Sequence, residues 1–382
     1  MSTNVPRNLI IKDFHRDVWC LFGLPVDNLT MESAKRLIRE KVKNQGNYVL
    51  STINVNGVVQ SIKDPLFRKA IINSDIVTID GRPLLWLAKL LGYPMKEVVA
   101  GSSLIEELLN EKCTAEPPLT LYLFGGDDGV AKQAMELVNQ SNGGLKVVGA
   151  ISPGFGSVEE LSRQGIIAVI NEQHPDILLV ALGAKKGVQW IEHNKGMLNA
   201  KIVSYLGATI NFLAGSVRRA PKIFQRLGIE WLWRIYQEPL LLKRYVVDGW
   251  FFGVMLAKQF VLYLRSIFAK SRLSSMACDA IERIVQDNQR VEIKVGKVVT
   301  QENLSDLRKV IEVYIGEKDI ALDLTSTIAV NKSFISQIII LHRIQRENGR
   351  RLLVIQSDYS LNNMFCQVGV RESLKAMELM AS

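Results

Sequence analysis

Residues 76–92 read IVTIDGRPLLWLAKLLG. A β-branched apolar run ends at Asp80-Gly81, and the chain then enters a helix, so this stretch is a strand that turns into a helix with a carboxylate at the turn. Outward from it the same alternation continues. VLSTIN (49–54), TLYLFGG (120–126), LKVVGA (145–150), DILLVALG (176–183) and KIVSYLGA (201–208) are apolar nearly throughout and are separated by helix-length segments. Strands without polar alternation belong to a parallel sheet covered on both faces. Helix starts are marked as well: Thr30 precedes MESAKRLIREKV, and Ser157 with Glu160 makes a capping box before LSRQGIIAVINEQ. The fold class is therefore α/β, with a Rossmann-like parallel-sheet domain.

The chain has 382 residues, 48% of them hydrophobic and 22% charged, enough for two or three domains and too apolar for disorder. Its four cysteines lie far apart with no C-x-x-C pair, which argues against a disulfide framework or a cysteine-rich zinc site. The N-terminus mixes charge and apolar residues too often for a signal peptide. The net charge of +9 is unevenly placed: residues 1–217 carry +1, residues 218–272 carry +8 and residues 273–382 carry none. The basic 55 residues are also rich in Trp, Phe, Tyr and Leu, a composition that suits an anionic lipid surface better than nucleic acid. Tyr245 to Leu264 is as long as a membrane span, but Asp248 and Lys258 interrupt it at about 2.5–3.5 kcal/mol each, so an interfacial helix is expected rather than a span. Packing of this segment on the sheet domain or on a sister subunit is the alternative, and a homo-oligomer stays open.

These shifts divide the chain at 1–217, 218–272 and 273–382. In the last part, RLSSMACDAIERIVQDNQR (272–290) reads as a linker helix, VEIKVGKVV and DIALDLT (319–325) as strands, and KSFISQIIILHRIQRENG (332–349) as an amphipathic helix with Arg343 and Arg346 near its negative end. RRLLVIQS reads as a strand and YSLNNMFCQVGV as a second helix, giving a small α/β domain.

Several residues have chemistry-bearing positions. Asp80 ends a parallel strand, where α/β sheets bind ligands, and Gly81 would admit a substrate close to the backbone; a helix cap is the plainer role. Thr52 and Asn54, at i and i+2 of STINVNG, share one side of a strand near its exit and suit sugar hydroxyls or ordinary strand-end bonding. In LYLFGGDDGVAKQA (121–134), Gly125, Gly126 and Gly129 either cradle a phosphate at a helix N-terminus or make a tight turn. Arg218, Arg219, Lys222, Arg226, Arg234, Lys243 and Arg244 form a basic cluster that fits a diphosphate or a solvated face. His174 and His193 have no triad partners and read as structural.

The ordered motifs GLPVDNLT, STINVNG, DGRPLLW, VVAGSSL, LYLFGGDDGVA, HPDILLVALGAKKG, GATINFLAG and RRAPKIFQRLGIEWLWRIYQEP resemble the WecG/TagA/CpsF glycosyltransferase family, over roughly residues 17–245. The resemblance implies an inverting, metal-independent, cofactor-free transferase at the cytoplasmic face of the cell membrane, bound peripherally. It would move a sugar from a UDP-sugar to a polyprenol-diphosphate-linked saccharide in exopolysaccharide, capsule or cell-wall polymer synthesis. By position, Asp80 matches the general base, Thr52 and Asn54 the sugar-pocket strand, Arg219 the arginine of the R-A-P motif, and Arg244 an appendage arginine serving the acceptor diphosphate. Gly125, Gly126, Gly129, Gly183 and Gly207 are the expected nucleotide contacts.

The chain departs from the family pattern at Val98, Gly187, Val188, Asn211 and Leu241, where polar or charged residues are usual. Lys185 and Lys186 are the residues that could restore charge. The departures motivate a second reading: a catalytically reduced scaffold that recruits partners. Residues 273–382 resemble the STAS domain of anti-sigma-factor antagonists, which implies a protein partner; Ser333 falls at the position phosphorylated there, although the surrounding D-S-S-G turn is replaced by Asn331-Lys332-Ser333-Phe334.

Overall fold

The computed structural model describes residues 7–44, 46–111, 117–217, 219–221, 223–224, 227–273, 279–355 and 369–377. The chain divides into two compact units, one of Leu29–Leu90 with Pro94–Gly249, the other of Met1–Asn28, Leu91–Tyr93 and Trp250–Ser382. This division follows contacts, and it cuts the chain differently from the composition boundaries: the first 28 residues go with the C-terminal part, and the basic segment is shared.

The first unit is built on six strands, β1 (Tyr48–Ile53), β2 (Ile76–Ile79), β3 (Leu119–Gly125), β4 (Leu145–Ile151), β5 (Ile177–Ala181) and β6 (Ile202–Ser204). They pair in the order β2-β1-β6-β5-β3-β4, and every pairing is parallel. All C-terminal strand ends therefore meet along one edge, where such sheets place their ligands. Each of the six apolar runs forms its strand. The core contains Leu50, Leu121, Leu123, Leu179 and Ile202 from the strands, packed with Ile105, Ala134 and Ile210 from the helices. Thr30 caps Met31–Lys43 in a capping box closed by Ser33. Ser157 and Glu160 also bond reciprocally, but they open a single 3-10 turn, Glu160–Ser162; the helix starts later, at Gln164.

The basic segment is helical over Glu230–Gln237 and Leu241–Leu273. Its approach to the sheet unit is close: a Cβ on Gly228, at φ +66°, would lie 2.6 Å from the Trp86 ring and 2.8 Å from the Arg82 Cβ. Among the described residues no helix is long and apolar enough to cross a membrane. Asp248, which interrupts the apolar run, is buried, and its carboxylate accepts a hydrogen bond of 2.5 Å from Asn56 Nδ2.

The second unit holds a four-stranded sheet in the order Leu352–Ile355, Asp319–Asp323, Arg290–Val295, Ile281–Gln286, the last strand antiparallel to its neighbour. The expected linker helix is thus corrected to a strand over Ile281–Gln286. The Asp287 carboxylate accepts from the backbone N–H groups of Gln289 and Arg290, closing a hairpin turn, and pairing with Arg290–Val295 overrides the local helical pattern. Most of the expected helix at 359–370 lies outside the described residues; a helix runs over Val370–Ala376. The helix Lys332–Glu347 is buried on nearly every side rather than amphipathic, because residues 7–28 and 91–93 cover it. Arg343, expected at the helix dipole, is 3% exposed and pairs with Asp13 at 2.7 Å. Ser333 is buried too, its hydroxyl donating to the Val18 carbonyl at 3.4 Å.

A buried guanidinium is costly once its counter-charge is gone. Asp13→Ala should destabilise this unit by about 2–4 kcal/mol, read as faster amide exchange across Lys332–Glu347. Unchanged exchange there would show that Asp13 does not hold Arg343.

Candidate active site

Asp80 follows β2 immediately, and its backbone N–H donates to the Ile53 carbonyl at the end of β1 (2.7 Å). The base of the carboxylate is thereby fixed to the neighbouring strand β1 at the outer side of the sheet, and Gly81, at φ +114°, turns the chain into the helix Arg82–Leu90. The side chain is partly buried and lines a cleft of about 400 Å³. Thr52, Asn54, Asn56 and Gly57 come from the end of β1 and the helix after it; Gly126 and Asp127 follow β3, Gly183 follows β5, and Tyr205, Gly207, Thr209 and Asn211 follow β6. Arg234 and Glu238 close the cleft from the basic segment, joined to each other at 2.9 Å.

The electrostatics of this cleft centre on Asp80. Burial, reinforced by the nearby negative charge of Glu230, pushes its carboxyl up to about 6. A hydrogen bond from Thr52 and the positive charges of Arg219 and Arg234 oppose that rise. The carboxylate is therefore ionised at neutral pH yet basic enough to take a proton. Arg219 is held from behind: it donates to Ser103 Oγ at 2.6 Å and pairs with Glu106, both on the helix Gly101–Leu109. The Tyr205 hydroxyl donates to the Thr52 carbonyl (3.0 Å), and burial raises its own pKa strongly.

The structure brings Thr52, Asn54, Asp80, Gly126, Gly183 and Gly207 to one cleft. Asn54 also caps a helix, its side-chain oxygen accepting from the Gly57 N–H at 2.9 Å. Arg219 acts on Asp80 through its charge. Gly125, Gly129 and Arg244 are not among the lining residues. Gly125 has a packing reason instead: at φ +102°, a Cβ there would sit 2.6 Å from the Ala181 carbonyl oxygen. Gly129, at φ +77°, caps the helix Val130–Gln140, and Arg244 is exposed, its guanidinium 5.6 Å from the Tyr245 ring centroid. Lys185 and Lys186 are not among the lining residues: Lys185 pairs with Asp64 (2.8 Å) and Lys186 donates to the Gly156 carbonyl (2.8 Å). Of the five family departures, Asn211 alone lines the cleft. Tyr205, Glu230 and Glu238 went unmarked in the sequence, and Arg234 stood there only as one of a basic cluster.

The C-terminal edge of the parallel sheet thus carries a polar cleft lined by the raised Asp80 carboxyl, several amide and hydroxyl groups and Arg234, with the Arg219 charge nearby. The profile of the glycosyl transferase WecG/TagA/CpsF family matches residues 19–266, and the chain belongs to that family. It is a glycosyltransferase. Similar proteins include the N-acetylglucosaminyldiphosphoundecaprenol N-acetyl-beta-D-mannosaminyltransferases of Bacillus subtilis (28% identical over 197 residues, 51% of this chain and 74% of the relative) and of Bacillus spizizenii (24% over 202 residues, 53% and 76%). That of Staphylococcus aureus strain MRSA252 is 24% identical over 216 residues, 56% of this chain and 82% of the relative.

A carboxyl whose pKa rises from 3.8 to about 6 on folding binds its proton more tightly in the folded state. Folding then loses stability as pH rises through that window, and the full cost stands above it. Asp80→Asn should therefore be more stable than wild type by about 1–3 kcal/mol above pH 7, with the difference closing below pH ~4. Equal denaturant midpoints across the whole range would contradict the raised pKa.

Proposed function

We propose that this glycosyltransferase moves a sugar from a UDP-sugar to a polyprenol-diphosphate-linked saccharide, inverting the anomeric carbon, with Asp80 as general base. The observation that carries the reading is the Asp80 carboxylate itself, which lines the cleft, is hydrogen-bonded by Thr52 and is poised near neutrality between Glu230 and the two arginines. The three relatives are named for transfer of N-acetylmannosamine to an undecaprenol-diphosphate-linked N-acetylglucosamine, which makes an N-acetylhexosamine the favoured sugar and a bacterial cell-wall or exopolysaccharide polymer the favoured product.

In the proposed step the acceptor hydroxyl oxygen attacks C1 of the donor sugar from the face opposite UDP. Its proton goes to a carboxylate oxygen of Asp80, the bond from C1 to the UDP oxygen breaks, and UDP leaves with the electron pair. Proton transfer of this kind contributes roughly 10²–10⁴-fold to rate. The charge gathering on UDP would be met by the Arg219 and Arg234 guanidiniums and by backbone N–H groups near Gly183 and Gly207. Arg244, outside the cleft, would reach the acceptor's diphosphate at the membrane.

The lipid carrier fits the exposed surface of the basic segment. Leu227, Trp231, Tyr236, Leu240, Leu242, Val246 and Val247 are exposed large apolar residues beside exposed Lys243 and Arg244, the mixture that seats on anionic lipid at the inner face of the membrane. Residues 273–382 would serve as a STAS-like docking domain for a protein partner. Burial of Ser333 speaks for docking without phosphorylation there.

Asp80→Asn should keep the fold and lower transfer by roughly 100-fold or more. In wild type, kcat/KM should fall about tenfold per pH unit below about pH 6, since only the ionised base reacts. A variant with near-wild-type turnover, or a wild-type profile flat down to pH 5, would remove Asp80 as the base. Retained vesicle binding with no UDP release from any donor would instead favour the scaffold.

A further inference from the structure

Asp248 is the residue that the proposed chemistry leaves unexplained. A carboxylate in the middle of an apolar, aromatic stretch is costly, and this one is only 6% exposed. It accepts a hydrogen bond from Asn56 Nδ2 at 2.5 Å, across 192 residues of sequence. Asn56 lies one residue into the helix Val55–Lys63, directly after β1, and lines the cleft that holds Asp80.

An asparagine amide has a donor end and an acceptor end, and packing alone rarely distinguishes them. An ionised carboxylate accepts only, so it captures the NH₂ end and holds it. The carbonyl end of the same planar group then has one orientation.

We infer that Asp248 is a positioning residue: it locks the Asn56 side-chain amide so that its Oδ1 stands in the cleft as a hydrogen-bond acceptor for a hydroxyl or amide N–H of a sugar substrate. The ligand chemistry is a neutral donor on the sugar, distinct from the diphosphate chemistry of the arginines. This inference rests on the transferase reading of the cleft. It also gives the buried charge a role: a neutral amide at 248 would let Asn56 turn over and present its NH₂ to the same substrate group.

The test compares Asp248→Asn, Asn56→Ala and the double variant, using a UDP-N-acetylhexosamine donor and polyprenol-diphosphate-linked N-acetylglucosamine. Asp248→Asn should raise the KM of one substrate roughly 5–10-fold, the scale of one hydrogen bond, with kcat within about twofold and Tm unchanged. Asn56→Ala should raise the same KM by a similar factor, with a lower Tm because the buried Asp248 carboxylate loses this donor, and the double variant should show no larger KM than Asn56→Ala alone, because both act through one group. Unchanged KM values for both substrates in Asp248→Asn overturn the inference. So do additive KM losses in the double variant, or a fall in kcat and Tm together in Asp248→Asn, which marks a merely structural contact. If wild type turns over none of these substrates, the proposed function fails. The positioning claim is then read from the side-chain amide NMR signals of Asn56: in wild type they should be slow to exchange, and they should lose that protection in Asp248→Asn. The same exchange in both proteins overturns it.

Discussion

The balance of burial against charge at Asp80 is the constraint on which this cleft depends. Burial and Glu230 favour the neutral acid; Thr52, Arg219 and Arg234 favour the carboxylate. Removing the arginines would raise the carboxyl further, and removing the burial would bring it down toward the ordinary carboxylate range. The sheet fixes the Asp80 backbone to Ile53, and Thr52 donates to its carboxylate.

The basic segment presents two kinds of residue. One set of its residues, Arg219, Arg234 and Glu238, is turned to the cleft or to its supports, while Trp231, Tyr236, Leu240 and Val246 are left in solvent. On the proposed reading, a stretch that completes a polar cleft and seats on lipid would be cationic and greasy together, in keeping with the charge and aromatic content found in the same residues.

Much of the sheet was legible because buried parallel strands are apolar without alternation, and the strand-end positions of Thr52, Asn54 and Asp80 follow from strand boundaries alone. What stayed hidden depends on distant partners. Ile281–Gln286 is a strand because Arg290–Val295 pairs with it, and no local pattern says so. Arg343 was placed by its helix dipole but answers to Asp13, 330 residues away. Arg234 and Glu238 enter the cleft from a segment whose composition pointed to lipid, and Tyr205 was one more aromatic at a strand end. Gly125 misled for a related reason: a glycine that admits a ligand and one that admits a neighbouring strand look alike in sequence, and the Ala181 carbonyl decides between them.

The most direct measurement is a carboxyl titration by NMR on protein labelled with carbon-13 at the aspartate side chain, with Asp80→Asn used to assign the signal. One resonance should titrate near pH 6 and be missing from the variant. If every aspartate titrates below about pH 5, in the range of ordinary carboxyls, the carboxylate at the sheet edge is not tuned for proton transfer and the account of this cleft is wrong.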